Sequence, residues 1–240
     1  MIQGYSLRKF LTCLAPVAAL LAVAGCQHDS VPRPEPETDY FPLEVGRYRT
    51  YAVLDTLWAN YRPTISSFQF RETITAQITD ATGQPAYRVV RARRVLPTDT
   101  WRDDSVMVLT PVRETVVLTR NNRRTVELVF PVRKDRFWNM NAFNSLDSVV
   151  AENRYYQTVG EPFQARSGGK TFSYEQTLTT ALAEDNRNGA NNAVFRTTYE
   201  QVYAKGVGPV FRARRRFTYC ADQDDKCFRT NTRIYRGRPG

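Results

Sequence analysis

Arg212, Arg214 and Arg216 alternate in Phe211-Arg-Ala-Arg-Arg-Arg-Phe217. On a strand that spacing sets three guanidinium groups side by side on one face. Like charges in a row repel, so they need acidic neighbours or an acidic ligand. A guanidinium offers a planar fork that matches carboxylate and phosphate, so this face, with Arg91 and Arg93 adding to it, is the candidate anion site. Cross-strand Asp or Glu partners are the expected balance, and an anionic ligand is the alternative.

Other chemistry-bearing groups are few. The single histidine, His28, removes imidazole catalysis from the rest of the chain and any two-histidine metal site. No GxSxG elbow occurs. Ser167-Gly-Gly-Lys170-Thr171 has the end of a phosphate-binding loop, but Gln164 replaces its first glycine and a strand-like run follows where a helix is needed, so it reads as a loop. Asp222, Asp224 and Asp225 cluster without calcium-loop spacing, because Lys226 takes the fifth position and no glycine the sixth. Asp103 and Asp104 are adjacent, hence on opposite faces of a strand, and read as turn residues. The expectation is no catalytic residue, no metal and no cofactor. Carboxylate-only hydrolysis, which needs just two Asp or Glu, is the remaining enzymatic alternative.

The elements that must position these groups are strands. Phe68, Phe70, Ile74, Ala76 and Ile78 share one face against Gln69, Arg71, Thr73, Thr75 and Gln77. Asp80–Pro85 supplies a turn and Tyr87–Val95 the return strand. Tyr48–Trp58 and Ser105–Leu109 read as strands, and Arg113–Thr119 and Thr125–Phe130 flank a tip at Asn121-Asn122. Later, Phe172, Tyr174 and Leu178 alternate, then Phe195, Tyr199 and Tyr203. Gly206-Val-Gly208-Pro209 breaks two strands, and Phe211, Ala213, Phe217 and Tyr219 oppose the arginines before Thr230–Tyr235 returns. Residues 131–169 look irregular, with a short helix near Ser145–Asn153. The count is about ten mostly antiparallel strands, which predicts an all-β antiparallel barrel or half-barrel, with a β-sandwich as the alternative. Arginines on the outward faces argue against a porin-like membrane barrel.

The N-terminus carries a different signal. Arg8 and Lys9 precede an apolar stretch from Phe10 to Ala24, too short for a comfortable membrane span. It ends in Val23-Ala24-Gly25-Cys26, which resembles the bacterial lipobox. The resemblance implies cleavage before Cys26 and a thioether-linked lipid on its thiol. Residues 1–25 are then a signal peptide, and 26–39, with three prolines, are the lipidated cysteine and a tether that also holds His28. Residues 40–240 form a single β-rich domain. In enteric-type lipoproteins an Asp after the cysteine retains the protein at the inner membrane. Gln27 stands there instead and implies a lipid-anchored place at the outer membrane.

Export also bears on the remaining cysteines. With Cys13 in the signal and Cys26 lipidated, Cys220 and Cys227 are left, and in an oxidising compartment they most simply pair. A zinc site would need two more ligands. The chain has 34 Lys+Arg against 24 Asp+Glu, and removing Arg8 and Lys9 leaves 32 − 24 = +8, almost all arginine. A GC-rich genome explains that bias as well as function does. The expected partners are the membrane, through the N-terminal lipid, and a lipid, glycan or envelope protein. Nucleic acid is not expected.

Tyr40-Phe-Pro-Leu-Glu-Val-Gly46, Phe137-Trp-Asn-Met-Asn-Ala-Phe-Asn144 and Tyr203-Ala-Lys-Gly-Val-Gly-Pro-Val210 together resemble uncharacterised lipoproteins from Bacteroidota. That likeness implies a structural framework and brings no activity. A more distant architectural likeness, to lipoprotein carriers of the LolA/LppX type, implies a curved sheet able to hold acyl chains.

Overall fold

Strands of this length must find partners for every backbone N–H and C=O, and here they find one another. The computed structural model describes residues 37–59, 62–144, 149–183, 192, 194–219 and 228–238. Its strands are β1 (Tyr48–Ala59), β2 (Arg62–Thr79), β3 (Pro85–Arg94), β4 (Arg102–Val112), β5 (Thr115–Arg120), β6 (Arg123–Val129), β7 (Phe137–Asn139), β8 (Asn153–Ser167), β9 (Lys170–Leu182), β10 (Phe195–Ala204), β11 (Gly208–Tyr219) and β12 (Phe228–Arg238). All twelve join one sheet in the order β6-β5-β4-β3-β2-β1-β12-β11-β10-β9-β8-β7. The first and last strands pair antiparallel, from Thr50↔Arg238 to Thr56↔Thr232.

The two edges of this sheet, β6 and β7, are consecutive in sequence, and the sheet rolls until they meet. Val126 N–H donates to the Met140 carbonyl at 2.8 Å, and Trp138 Nε1–H donates to the Val126 carbonyl at 3.0 Å. The Tyr156 hydroxyl donates to the Val129 carbonyl at 2.7 Å and accepts from the Val129 N–H at 3.0 Å. Side chains thus complete what the ladder leaves open, and exposed edge groups are removed. The outcome is a nearly closed antiparallel barrel, in agreement with the all-β reading.

Several local expectations change. Among the described residues there are twelve strands rather than about ten, because β7 and β8 occupy the segment read as irregular. Gly160 (φ 81°) and three register shifts interrupt the alternation of β8, which erases the period-two signal. Of the short helix read near Ser145–Asn153, residues 145–148 lie outside the described residues, 149–152 are irregular, and Asn153 opens β8. Arg113 (φ 51°) lies in the β4–β5 turn, not in a strand. β4 starts at Arg102, so Asp103 and Asp104 are strand residues, not turn residues. The tip at Asn121 and Asn122 (φ 49° and 58°) and the Gly168-Gly169 turn between β8 and β9 stand as expected.

One end of the barrel is closed by apolar packing. Ile74, Leu109, Leu128, Phe130, Trp138, Leu178 and Tyr203 meet there, and Tyr40 and Phe41 enter from the N-terminal segment as a plug. Phe41 lies 5.9 Å from the Tyr203 ring. Arg49 holds the plug by donating Nε–H to the Val207 carbonyl and Nη2–H to the Pro42 carbonyl, both at 3.1 Å. Gly208 makes room for that guanidinium: a Cβ at its φ of +93° would stand 2.7 Å from Arg49 Nη2.

A second apolar cluster lies outside the barrel wall. Val202, Ala204, Val210 and Phe211 occupy the outer face of β10 and β11, and Phe163, Phe172 and Tyr174 of the β8–β9 hairpin cover them. The Phe163 and Phe211 rings are 5.5 Å apart. This cover decides which way β11 faces. Phe211 turns outward to the hairpin, so Arg212, Arg214 and Arg216, in the opposite phase, turn inward, while Arg215 turns outward.

Candidate functional site: an arginine-lined barrel mouth

Above the apolar end the barrel interior becomes polar. Arg91, only 2% exposed, donates Nη2–H to Glu72 Oε1 at 2.5 Å and packs its guanidinium 4.7 Å from the Phe70 ring centre. Arg212 donates Nε–H to Gln201 Oε1 at 3.2 Å and lies over Tyr235 at 5.4 Å. Arg154 sits over the Tyr199 ring at 4.1 Å, with Glu127 Oε2 3.7 Å from its Nη1. Its Nε and Nη1, like Gln201 Nε2, are buried without a hydrogen-bond partner. Tyr51, Glu72, Gln201, Arg212 and Tyr235 leave about 10 Å³ between them, room for about one water. Side chains fill the barrel at this height.

The charges of this layer do not cancel. Burial pushes the Glu72 carboxyl up, yet Arg91, Arg212 and Arg49 together hold it below the ordinary value. Burial and the nearby Arg91 push Arg120 down. Burial opposes the charge on Arg212, but Tyr199, Glu127 and Glu72 raise it well above the usual arginine value. Arg49, Arg91, Arg120, Arg154 and Arg212 thus act on this region together with the carboxylates of Glu72 and Glu127, and among these groups the excess is positive.

The mouth lies beyond this layer. Asp55, Arg233, Arg214 and Tyr199 are successive register partners across β1, β12, β11 and β10, a single row along the inner wall. Asp55 accepts a short hydrogen bond from Arg233 Nη2. Arg216, next along the same face, has Asn231 and Thr197 as register partners and stacks on Phe195 at 3.8 Å. Arg214, Arg216, Arg233, Asp55, Leu57, Asn231 and Thr232 line a cavity of about 180 Å³.

The three predicted arginines therefore do share a face, but it is the interior of the barrel and not an outer surface. Among the described residues no Asp or Glu is a direct register partner of the three, although Glu72 and Glu127 act on Arg212 and Asp55 shares the Arg214 row. Arg212 meets a glutamine and a tyrosine, Arg214 a tyrosine and another arginine, and Arg216 an asparagine and a threonine. Of the two added arginines, Arg91 is committed to Glu72, and Arg93 stacks on Phe68 at 4.2 Å.

Asp55, Glu72, Glu127, Arg154 and Arg233 are site residues that sequence reasoning missed. A signal existed for two of them. Asp55 and Glu72 occupy positions in phase with Tyr51, Val53, Phe68 and Phe70, and a carboxylate inside an apolar phase is a buried charge that needs a partner.

Asp99, Asp103 and Asp104 line a separate cleft of about 500 Å³ beside the β3–β4 connection. Arg93, Arg94 and Arg102 line it too, so its charges balance one for one. Asp99 accepts the Leu96 N–H at 2.8 Å, and Asp104 accepts the Ser105 hydroxyl at 3.1 Å. Among the described residues no group of three or more His, Cys, Asp or Glu is placed to hold a metal. Cys26, His28, Cys220, Cys227, Asp222, Asp224 and Asp225 lie outside the described residues. No family model, no curated protein and no solved structure matches this chain.

Proposed function

We propose that this chain is a lipid-anchored cell-envelope lipoprotein, held at the outer membrane through Cys26, whose barrel binds an anionic ligand at its mouth and carries out no chemistry of its own. The observation that carries the binding role is the cavity of Arg214, Arg216 and Arg233, in which Asp55 is the one carboxylate among the lining residues. Three guanidiniums on neighbouring strands repel one another, and a ligand that brings negative charge relieves the repulsion. Because side chains fill the barrel at mid-height, a lipid or glycan partner engages the mouth by its charged group.

The anchor and the binding role are tested separately. Cys26→Ser should move the full chain from the detergent-requiring membrane fraction to the soluble envelope fraction. Unchanged fractionation would overturn the anchor. Native mass spectrometry with lipid extraction on the purified protein should find an acidic species released by high salt, and an apo mass under gentle conditions would overturn tight ligand carriage. A second reading, an assembly component without a small ligand, draws on Ile65 (67% exposed), Leu57 (52%) and Val194 (62%), which stand near the same end of the barrel.

A further inference from the structure

We propose that the group received at the mouth is a phosphate monoester, held by Arg214 and Arg216 with Arg233 beside them. The proposal rests on the anion-binding reading above and names its ligand class. The argument is one of charge and donor count. Asp55 already neutralises Arg233, which leaves, among the described residues, the equivalent of two positive charges, on Arg214 and Arg216, in one cavity. A carboxylate cancels one of them, and a phosphate dianion cancels both.

Geometry favours the same group. Arg214 and Arg233 are direct register partners, and Arg216 lies two residues along the same face, about 7 Å further on. Three guanidinium-bearing side chains, two on β11 and one on β12, therefore line one small space. Asn231 commits its side-chain oxygen to the Trp58 N–H at 2.8 Å, so what it has left to offer is its NH₂. Arg216 is held flat on Phe195, which orients its fork in advance. Phosphate presents three acceptor oxygens, enough to engage all of these donors. At about 180 Å³ the cavity is smaller than a typical pocket for a drug-sized ligand, and suits a charged headgroup whose remainder stays outside. The unbalanced arginines below add to the field at the mouth.

The test titrates the full-length protein in neutral detergent with glucose 6-phosphate and with galacturonate, by calorimetry. Flotation of the Cys26→Ser chain, which carries no anchor, with neutral phosphatidylcholine vesicles, with and without phosphatidic acid, follows in the absence of detergent. The expected result is glucose 6-phosphate binding that weakens several-fold from pH 7.5 to pH 5 as the dianion is lost, and again at high salt. Arg214→Ala and Arg216→Ala should each weaken it about tenfold, the equivalent of about 1.4 kcal/mol, while Arg133→Ala, on a loop outside the mouth, should not. Arg216→Lys keeps the charge but not the fork and should recover only part of the loss. Each variant's urea midpoint is measured alongside, to separate lost binding from lost folding.

Binding of vesicles that requires phosphatidic acid, without binding of the sugar phosphate, supports the proposal and assigns the phosphate to a lipid headgroup; the reverse assigns it to a soluble ester. Galacturonate binding with neither phosphate probe overturns the phosphate assignment and leaves the anion-binding reading intact. No binding of any probe overturns both. Phosphate binding indifferent to Arg214→Ala and Arg216→Ala overturns the location.

Discussion

Glu72→Gln removes the carboxylate that balances the most buried cation in the barrel while keeping the side chain's size. Arg91 is 2% exposed and Glu72 14%, and their contact is 2.5 Å. Breaking a buried pair from one side leaves an uncompensated charge, which costs about 3–5 kcal/mol. Here the cost should reach the upper half of that range, because Arg212 and Arg120 lie near the same carboxylate. For a chain of this size about 1 kcal/mol moves the melting temperature by about 2–4 °C, so a fall of about 8–20 °C is expected. The assay is urea unfolding at pH 7 followed by fluorescence, with calorimetry as a check. pH supplies an internal control. Interaction with arginines holds the folded Glu72 carboxyl below its ordinary value of 4.5, so its stabilisation is complete above that value. It fades as pH falls through the depressed folded value, and the gap between wild type and Glu72→Gln should close there. A loss under about 1 kcal/mol at pH 7, or a gap that does not narrow in acid, would refute the claim that this ion pair organises the interior. Glu72→Gln combined with Arg91→Met should recover part of the loss, since the stranded cation goes with its partner.

Two further predictions concern the barrel wall. Tyr156→Phe strands both polar groups of Val129 at the seam, and each stranded group costs about 1–3 kcal/mol. Hydrogen exchange should show the loss first at β6, and uniform loss across the sheet would count against a local seam. Phe163→Ala should loosen the β8–β9 hairpin from the outer wall, at about 1–2 kcal/mol for a half-buried ring. Limited proteolysis should then cut within that hairpin before it cuts β1–β6, and the opposite order would show that the hairpin does not depend on this contact.

The segments 40–46, 137–144 and 203–210 fall in structural places. Tyr40 and Phe41 plug the closed end, and Gly206 and Gly208 lie against that plug: the Gly206 N–H donates to the Asp39 carbonyl at 2.8 Å, and its own carbonyl accepts from Arg47 at 2.6 Å. Trp138 and Met140 bind across the seam. Such positions need particular shapes or backbone angles. None of them reaches the mouth.

Alternation determined most of the strands and the all-β class, because burying one face of a sheet imposes a period of two wherever the ladder is regular, and Asn, Gly and Pro marked the turns. It also placed Arg212, Arg214 and Arg216 on one face. It could not say whether that face looked in or out, since an apolar row serves equally well against a core or under an external cover. Tertiary structure decided that. β8, hidden from the sequence by its bulges and its glycine, pairs with β9 into the hairpin that covers the apolar side of β11 and leaves Arg212, Arg214 and Arg216 the interior. The company they keep there was beyond the sequence for the same physical reason. Asp55 and Arg233 are 178 residues apart, and only the pairing of the first strand with the last brings them together.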